Sequence, residues 1–490
     1  MTTAPSRRRR AVPDLLTAGF RLLLASPALL AACVPATAPV TRLQPVPALV
    51  RARPEEVGMA PGLDTRLDSI LQAGVAAGAA PGAELVVGRY GRIIVLRGAG
   101  HLDTTATSPV PDEGTLWDLA SLTKVVATTT AAMLLEQDGR LQIDSPVVKY
   151  LPEFSAPEKA RITVRMLLEH RGGLEAGADL WRRYRGRAAY LEQINARPLA
   201  YTPGDSSIYS DWDYVLLGFI VERVSGQTLD RFTEERIFGP LGMRDTRFNP
   251  LGPVPATPLP PPPPRPLALP VPSVPANPAA PGNPPPTAGN VPAPTETPLP
   301  GTPANPAATP GAVAPPATPP DTDCTAALGH ADPALLARIA PTEVSTEYRR
   351  MHLHGIVHDP NACALGGVSG HAGLFSSARD LAAFAQMLLN YGAYNGLALL
   401  RPEEVAVWTA RQRPGSSRAL GWDTPSGTSS SGHYADPRAF GHTGYTGTSI
   451  WIDPERGLFI VLLTNRVNPT SRNTRHEALR RAVADAVEEG

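Results

Sequence analysis

"DLASLTKVVATTT", residues 118–130, is the stretch on which the reading of this 490-residue chain turns. Lys124, Lys149 and Lys159 are the only lysines among the 45 basic residues, so arginine fills nearly every other cationic position. A lysine kept three residues after Ser121 therefore asks for a chemical reason. A serine hydroxyl is a poor nucleophile until a base takes its proton. Residues three apart on a helix share a face, and the segment from Ser121 to the stop at Gly139 has a helical pattern. A buried ammonium can lose its proton near neutral pH, which a guanidinium cannot. Ser121 as nucleophile with Lys124 as its base is the first expectation. S-x-x-K is a short motif, and it needs partners to carry weight.

Two further stretches supply them. "PGDSSIYSDWDYVLLG", residues 203–218, puts Tyr209, Ser210 and Asp211 on a loop before an apolar helix. A tyrosine beside an ammonium can have its pKa lowered and act as a base; a plain core tyrosine is the alternative. "GHTGYTGTSIWID", residues 441–453, has glycines leading into a strand. Gly444 and Gly447 are expected to let a substrate approach the backbone, where free N–H groups would stabilise an oxyanion.

With S-x-x-K, Y-S-D and H-T-G in that order, the chain resembles the serine β-lactamase and penicillin-binding-protein superfamily, which is described by S-x-x-K, S-D-N and K-T-G. The tyrosine that opens the middle motif is closest to the branch of class C β-lactamases, DD-peptidases and esterases. "PEEVGM" (54–59), "DGRLQIDSPVVKYLPEF" (138–154), "GIVHDPNACALGG" (355–367) and "SGHAGLFSSARDLAAFAQMLLN" (369–390) look like the same branch. The resemblance implies Ser121 as nucleophile, Lys124 and Tyr209 as the proton-handling pair, and the backbone N–H groups of Ser121 and Tyr445 as the oxyanion hole. Asp211, His442, Thr443 and Gly444 would contact substrate. An acyl-enzyme on Ser121 would be hydrolysed by water, with no metal or cofactor required.

Two departures bear on substrate. Asp211 stands where many relatives have asparagine, and a carboxylate accepts hydrogen bonds but cannot donate them. His442 replaces a permanent lysine cation with a group charged only part of the time near neutrality. Both weaken the case for efficient penicillin hydrolysis. An ester or amide is the expected substrate, with a D-amino-acid-specific peptidase acting on peptidoglycan as the alternative. A non-catalytic envelope binding protein of the same fold is the rival from another class.

The rest of the chain fits an exported hydrolase. Net charge is zero and the pI is 7.2, and no basic stripe follows the first ten residues, which excludes nucleic acid as a partner. Residues 1–33 read as a signal peptide whose "LAAC" resembles the lipobox of bacterial lipoproteins, with Cys33 lipidated and the chain anchored to the membrane of the cell envelope. Residues 34–53 read as a tether, and 54–490 as the hydrolase domain. Residues 253–320 hold 28 of the 56 prolines and almost no charge, so they loop out as a proline-rich insert. In an oxidising compartment Cys324 and Cys363 could pair. His352, His354 and His358 have ligand-like spacing, but the stretch is similar to a metal-free part of the family. "HRGGL", residues 170–174, reads as a turn beside the cleft.

Helices are expected over residues 62–77, after Ser121, and over 163–169, 212–225, 378–390 and 473–487. A hairpin is expected around Arg89-Tyr90-Gly91, and strands return only near the end, around the turn "DPERG". The predicted fold class is therefore α/β (α+β): an antiparallel sheet built from both chain termini and flanked by helices, plus a mainly helical lobe, with the site in the cleft between them.

Overall fold

The two ends of the chain meet in one sheet. The computed structural model describes residues 49–252 apart from 106, and residues 323–490 apart from 348, 349 and 428. The expectations for residues 1–33 with Cys33, for most of the tether and for the insert at 253–320 lie outside the described residues.

Strands Gly82–Arg89 and Arg92–Gly100 form the first hairpin. Its two-residue turn has Tyr90 at φ 49° and Gly91 at φ 76°, the doubly left-handed geometry that matches the twist of paired strands. Strands Ser449–Asp453 and Leu458–Thr464 form the second. There Asp453 Oδ1 accepts the backbone N–H groups of Glu455 and Arg456 at 3.0 and 3.1 Å, closing the turn. The hairpins join antiparallel, with Val86 opposite Val461 and Leu85 opposite Leu462. Phe440–Thr443 completes one edge of the six-stranded sheet, and Val50–Arg51 lies at the other.

Every residue of "LFIVLLT" in Leu458–Thr464 is buried, because both faces of the sheet are covered. Helices Leu63–Ala76 and His476–Glu489 cover one face, packing Leu67, Leu71, Leu479 and Val483 against Leu85, Val87 and Ile460. Helix Ala378–Leu389 covers the other with Leu381 and Phe384, in a core that runs on into the helical lobe. Helix Asp211–Ser225 is buried along most of its length and packs on Thr130–Gln137 and Val164–Leu168. This is the mixed fold expected from the pattern.

The structure adds elements that the pattern did not announce. Trp117–Asp118, Arg247–Phe248 and Leu374–Ser376 form a small sheet under the nucleophile turn, and strands of two or three residues are too short to show a period. Phe440–Thr443, which carries the H-T-G stretch, is a strand in its own right. Helix Arg187–Ala196 escaped because one of its inward positions is Arg187, paired with buried Glu222 at 2.7 Å. Cys324 and Cys363 are bridged, with Cα atoms 4.8 Å apart and a sequence separation of 39.

Candidate active site

The nucleophile sits on a constrained turn. Ala120, just before Ser121, has φ 45°, an unfavourable region for a residue with a Cβ. Asp118 holds the turn from below: Oδ1 accepts the Ala120 N–H at 2.9 Å and Oδ2 the His358 N–H at 2.7 Å. Thr446 and Thr448 donate hydroxyl bonds to the carbonyls of Asp118 and Leu119 at 2.7 and 3.0 Å, tying the turn to the H-T-G strand. A π-helical turn, Lys124–Thr129, then leads into Thr130–Gln137; such turns recur at functional sites.

Lys124 is fully buried, and its ammonium donates to Ser121 Oγ at 3.1 Å, to the His371 carbonyl at 3.2 Å and to Asp211 Oδ1 at 2.7 Å. Tyr209 lies alongside, its ring centroid 4.7 Å from Lys124 Nζ. Three motifs distant in sequence therefore converge on one cleft of about 370 Å³, lined by Ser121, Tyr209, Asp211, Glu343, His358 and Tyr445 among others. The amides of Ser121 and Tyr445 are engaged in no hydrogen bond among the described residues. Tyr445 is gripped between His358, stacked at 5.7 Å, and Arg466, 4.3 Å from its ring.

Four expectations need correction. Burial pulls the Lys124 ammonium down, yet the Asp211 carboxylate and Tyr209 raise it above its ordinary value. The resting lysine is therefore charged, not the neutral amine expected from burial alone. Burial likewise pushes the Tyr209 phenol up, and the nearby ammonium does not reverse it, so Tyr209 rests as the neutral phenol. Burial, with Lys124 and Arg418 nearby, holds His442 down at about 4. It is an uncharged ring whose Nδ1–H donates to the Thr443 carbonyl at 2.8 Å, not a part-time cation. Gly444 opens no path to substrate. A Cβ there would meet Thr448 Oγ1 at 2.1 Å and the Leu119 carbonyl at 2.5 Å, so the glycine lets the strand close on the nucleophile turn. Gly447, at φ 104°, likewise faces Thr464 and Arg466.

The other residues fall as follows. Asp211 lines the cleft, but one of its oxygens is committed to Lys124. Thr443 lines a second, polar depression beyond the strand, together with Arg418. Arg418 was missed by sequence reasoning, since one more arginine in an arginine-rich chain carries no local signal. Its guanidinium lies 5.6 Å from the Tyr209 ring and is paired with Asp423. His352, His354 and His358 do not gather: their Nε2 atoms meet Asn468, the Ile339 carbonyl and Glu343. Asp211, Asp359 and His371 do lie close, with ligand atoms within 4.8 Å of one another, but the Lys124 ammonium already supplies the cation there. Burial alone would push Asp359 up; His371 and the Ala362 N–H hold it at about 2. His358 and Ser471 hold Glu343 at about 2 despite its burial.

A serine touching a buried lysine, a phenol beside it and two free amides across the cleft suit acyl transfer. A family model described as Beta-lactamase matches residues 67–485. A protein of Escherichia coli (strain K12), named as a candidate D-alanyl-D-alanine carboxypeptidase, is 34% identical over 370 residues, 72% of this chain and 69% of that protein. Another so named, from Escherichia coli O157:H7, is 32% identical over 443 residues, 86% of each chain. Among solved structures, a penicillin-binding protein homolog from Caulobacter crescentus is similar with a TM-score of 0.55 and 22% identity, over 88% of this chain and 98% of that one.

Proposed function

The chain belongs to the β-lactamase family of serine hydrolases, and from that premise we propose that it is a D-amino-acid-specific peptidase. It would release a C-terminal D-residue from a peptidoglycan-derived peptide through an acyl-enzyme on Ser121. The observation that carries this reading over a general esterase is the guanidinium of Arg418 beside Tyr209. It lines the second depression with Thr443, paired with Asp423, and it is a permanent cation where His442 is neutral. A carboxypeptidase substrate ends in a carboxylate that such a cation attracts, whereas a simple ester has none. The name given to the Escherichia coli relatives supports the same reading.

In this proposal Ser121 Oγ attacks the scissile carbonyl once Lys124 has lost its proton and can accept that of the serine. The amides of Ser121 and Tyr445 hold the developing oxyanion. Tyr209, resting as the neutral phenol, gives its proton to the departing amine and recovers one from Lys124. Water then hydrolyses the acyl-enzyme. Because the resting lysine is charged, turnover rises on the alkaline side. The proposal also covers the chain as a whole: export through residues 1–33, lipid attachment at Cys33, a tether at 34–53, and one hydrolase domain from 54 to 490 around the insert at 253–320.

The test is D-alanine release from an N-acylated tripeptide ending in D-Ala-D-Ala, beside the same peptide with a C-terminal amide and a p-nitrophenyl ester. Release that needs Ser121 and the free carboxylate is expected. Ester hydrolysis with no D-alanine released would replace the peptidase reading with an esterase.

A further inference from the structure

Behind Tyr209 lies a buried pair to which the mechanism above gives no work. His170 follows helix Val164–Leu168 at φ 55°, and Asp213 is the third residue of helix Asp211–Ser225. Both side chains are almost wholly enclosed. The His170 ring centroid lies 4.5 Å from that of Tyr209 and 5.2 Å from that of Tyr214.

Two groups meet on one nitrogen. The backbone N–H of Ser210 reaches His170 Nδ1 at 3.2 Å, and Asp213 Oδ2 stands 3.3 Å from the same atom. An amide N–H can only donate, so Nδ1 is accepting and carries no hydrogen of its own. Its contact with Asp213 is then a hydrogen bond only if the carboxyl supplies the proton, and the two donors share the single lone pair of Nδ1. The other carboxyl oxygen, Oδ1, has no partner among the described residues. A buried carboxylate so poorly served costs far more than the neutral acid, even though Oδ1 and the His170 Nε2 both go without a partner among the described residues. Room for this oxygen exists because residue 172 is glycine: a Cβ there would meet Oδ1 at 2.5 Å.

Burial acts the same way on both groups, with the Lys124 ammonium opposing it at Asp213. Lys124, Arg418 and Asp211 are the charges near the pair, beside the neutral His442 ring, and the Tyr209 and Tyr214 rings pack against His170. Burial, reinforced by Asp211, pushes the Asp213 carboxyl well above its usual range. Burial, with the Arg418 and Lys124 cations, pushes the His170 imidazole well below its own.

We propose that Asp213 is a protonated carboxylic acid donating to a neutral, Nε2-protonated His170, and that this uncharged pair is the positioning platform for Tyr209. It rests on the reading of Tyr209 as a proton-handling residue. Ser210 N–H belongs to the peptide that follows Tyr209, so the bond to His170 fixes the tyrosine's own backbone while the ring packs against its phenol. An acid at the third helical position ordinarily reaches back to the cap residue's N–H; here the imidazole takes that N–H and the acid holds the imidazole. A carboxylate in this place would set a second negative charge near Lys124 and bind its proton more tightly. The acid form gives position without charge.

Infrared spectra of wild type and Asp213→Asn, together with the pH dependence of Ser121 labelling by a fluorophosphonate, test this. A protonated-carboxyl C=O band present at neutral pH in wild type and missing from Asp213→Asn is expected. The asparagine amide still donates to Nδ1, so Asp213→Asn should label at least about tenfold faster than Asp213→Leu, with the wild-type inflection kept, and His170→Phe should fall with the leucine variant. The proposal is overturned if no such band belongs to Asp213, or if Asp213→Asn moves the inflection to lower pH, as loss of a negative charge beside Lys124 would. If Asp213→Leu does not fold, the band and the Asp213→Asn profile still decide. The probe needs no D-alanyl peptide and the band needs no reactive serine, so failure of the peptidase reading would leave this result standing.

Discussion

Replacing Asp211 by asparagine isolates the interaction that governs the nucleophile. Asp211 Oδ1 lies 2.7 Å from Lys124 Nζ, and the carboxylate is the charge that outweighs burial and raises the ammonium above its ordinary value. At an effective dielectric of about 20, unit charges about 3 Å apart interact by about 5 kcal/mol. The lysine side chain is fully enclosed but that of Asp211 is 33% exposed, so solvent screening reduces the usable part to about 1.5 kcal/mol. Asparagine keeps an oxygen to accept from Lys124 and removes the charge. The sign follows directly: with the carboxylate gone, Lys124 gives up its proton at lower pH. The ascending limb of the acylation profile moves toward acid, and at a fixed pH on that limb the rate rises about tenfold. Intact-mass measurement of fluorophosphonate labelling across the pH range, with Ser121→Ala as the blank, gives the profile. A limb that stays in place, or moves to higher pH, would refute the assignment of Lys124 as the group whose deprotonation limits attack. Loss of labelling at every pH would refute it too, by making Asp211 itself the proton acceptor.

Other perturbations probe the remaining parts. Arg418→Gln should raise KM for a peptide ending in a free carboxylate by about tenfold and leave that for a neutral ester little changed, as expected for a charged pair lost at a partly exposed site; equal effects on both would remove the anchor role. Gly444→Ala should cut Ser121 labelling by tenfold or more and lower the melting temperature, because the new Cβ falls 2.5 Å from the Leu119 carbonyl, which cannot swing aside. Burial raises Glu84 to about 8, and Oε2 accepts from Trp117 Nε1 at 2.9 Å. A carboxyl so raised withdraws stability as pH climbs from its unfolded value of 4.5 through about 8. Glu84→Gln, which can still accept from Trp117, should abolish that loss, on the order of 4 kcal/mol at most, in urea unfolding at the two ends of the window.

Much of the architecture was legible because it is local. The hairpin around Arg89-Tyr90-Gly91, the strands on either side of "DPERG" and the helix over residues 62–77 are written in consecutive residues. The convergence of residues near 121, 209 and 445 was legible only through the order of three motifs. Residue types alone could name Ser121, Lys124 and Tyr209 as candidates but could not state their protonation, and the Lys124 expectation was wrong in sign. The part played by Gly444 was misread for a related reason: a missing side chain does not say what occupies its place.

The sequence by itself named Ser121, Lys124, Tyr209 and Asp211 as candidate groups, and indicated that the two ends of the chain pair into one sheet. The tertiary structure alone decided the electrostatic setting: that Lys124 is protonated against Asp211, that His442 is neutral, that Arg418 is brought beside Tyr209 and paired with Asp423, and that Asp213 and His170 are enclosed together. Pairing of strands and helical faces follows from side chains a few residues apart. Protonation follows from desolvation and from distances of a few ångströms between groups that stand 87 residues apart in the case of Lys124 and Asp211, and no local pattern encodes a distance that only the closed fold creates.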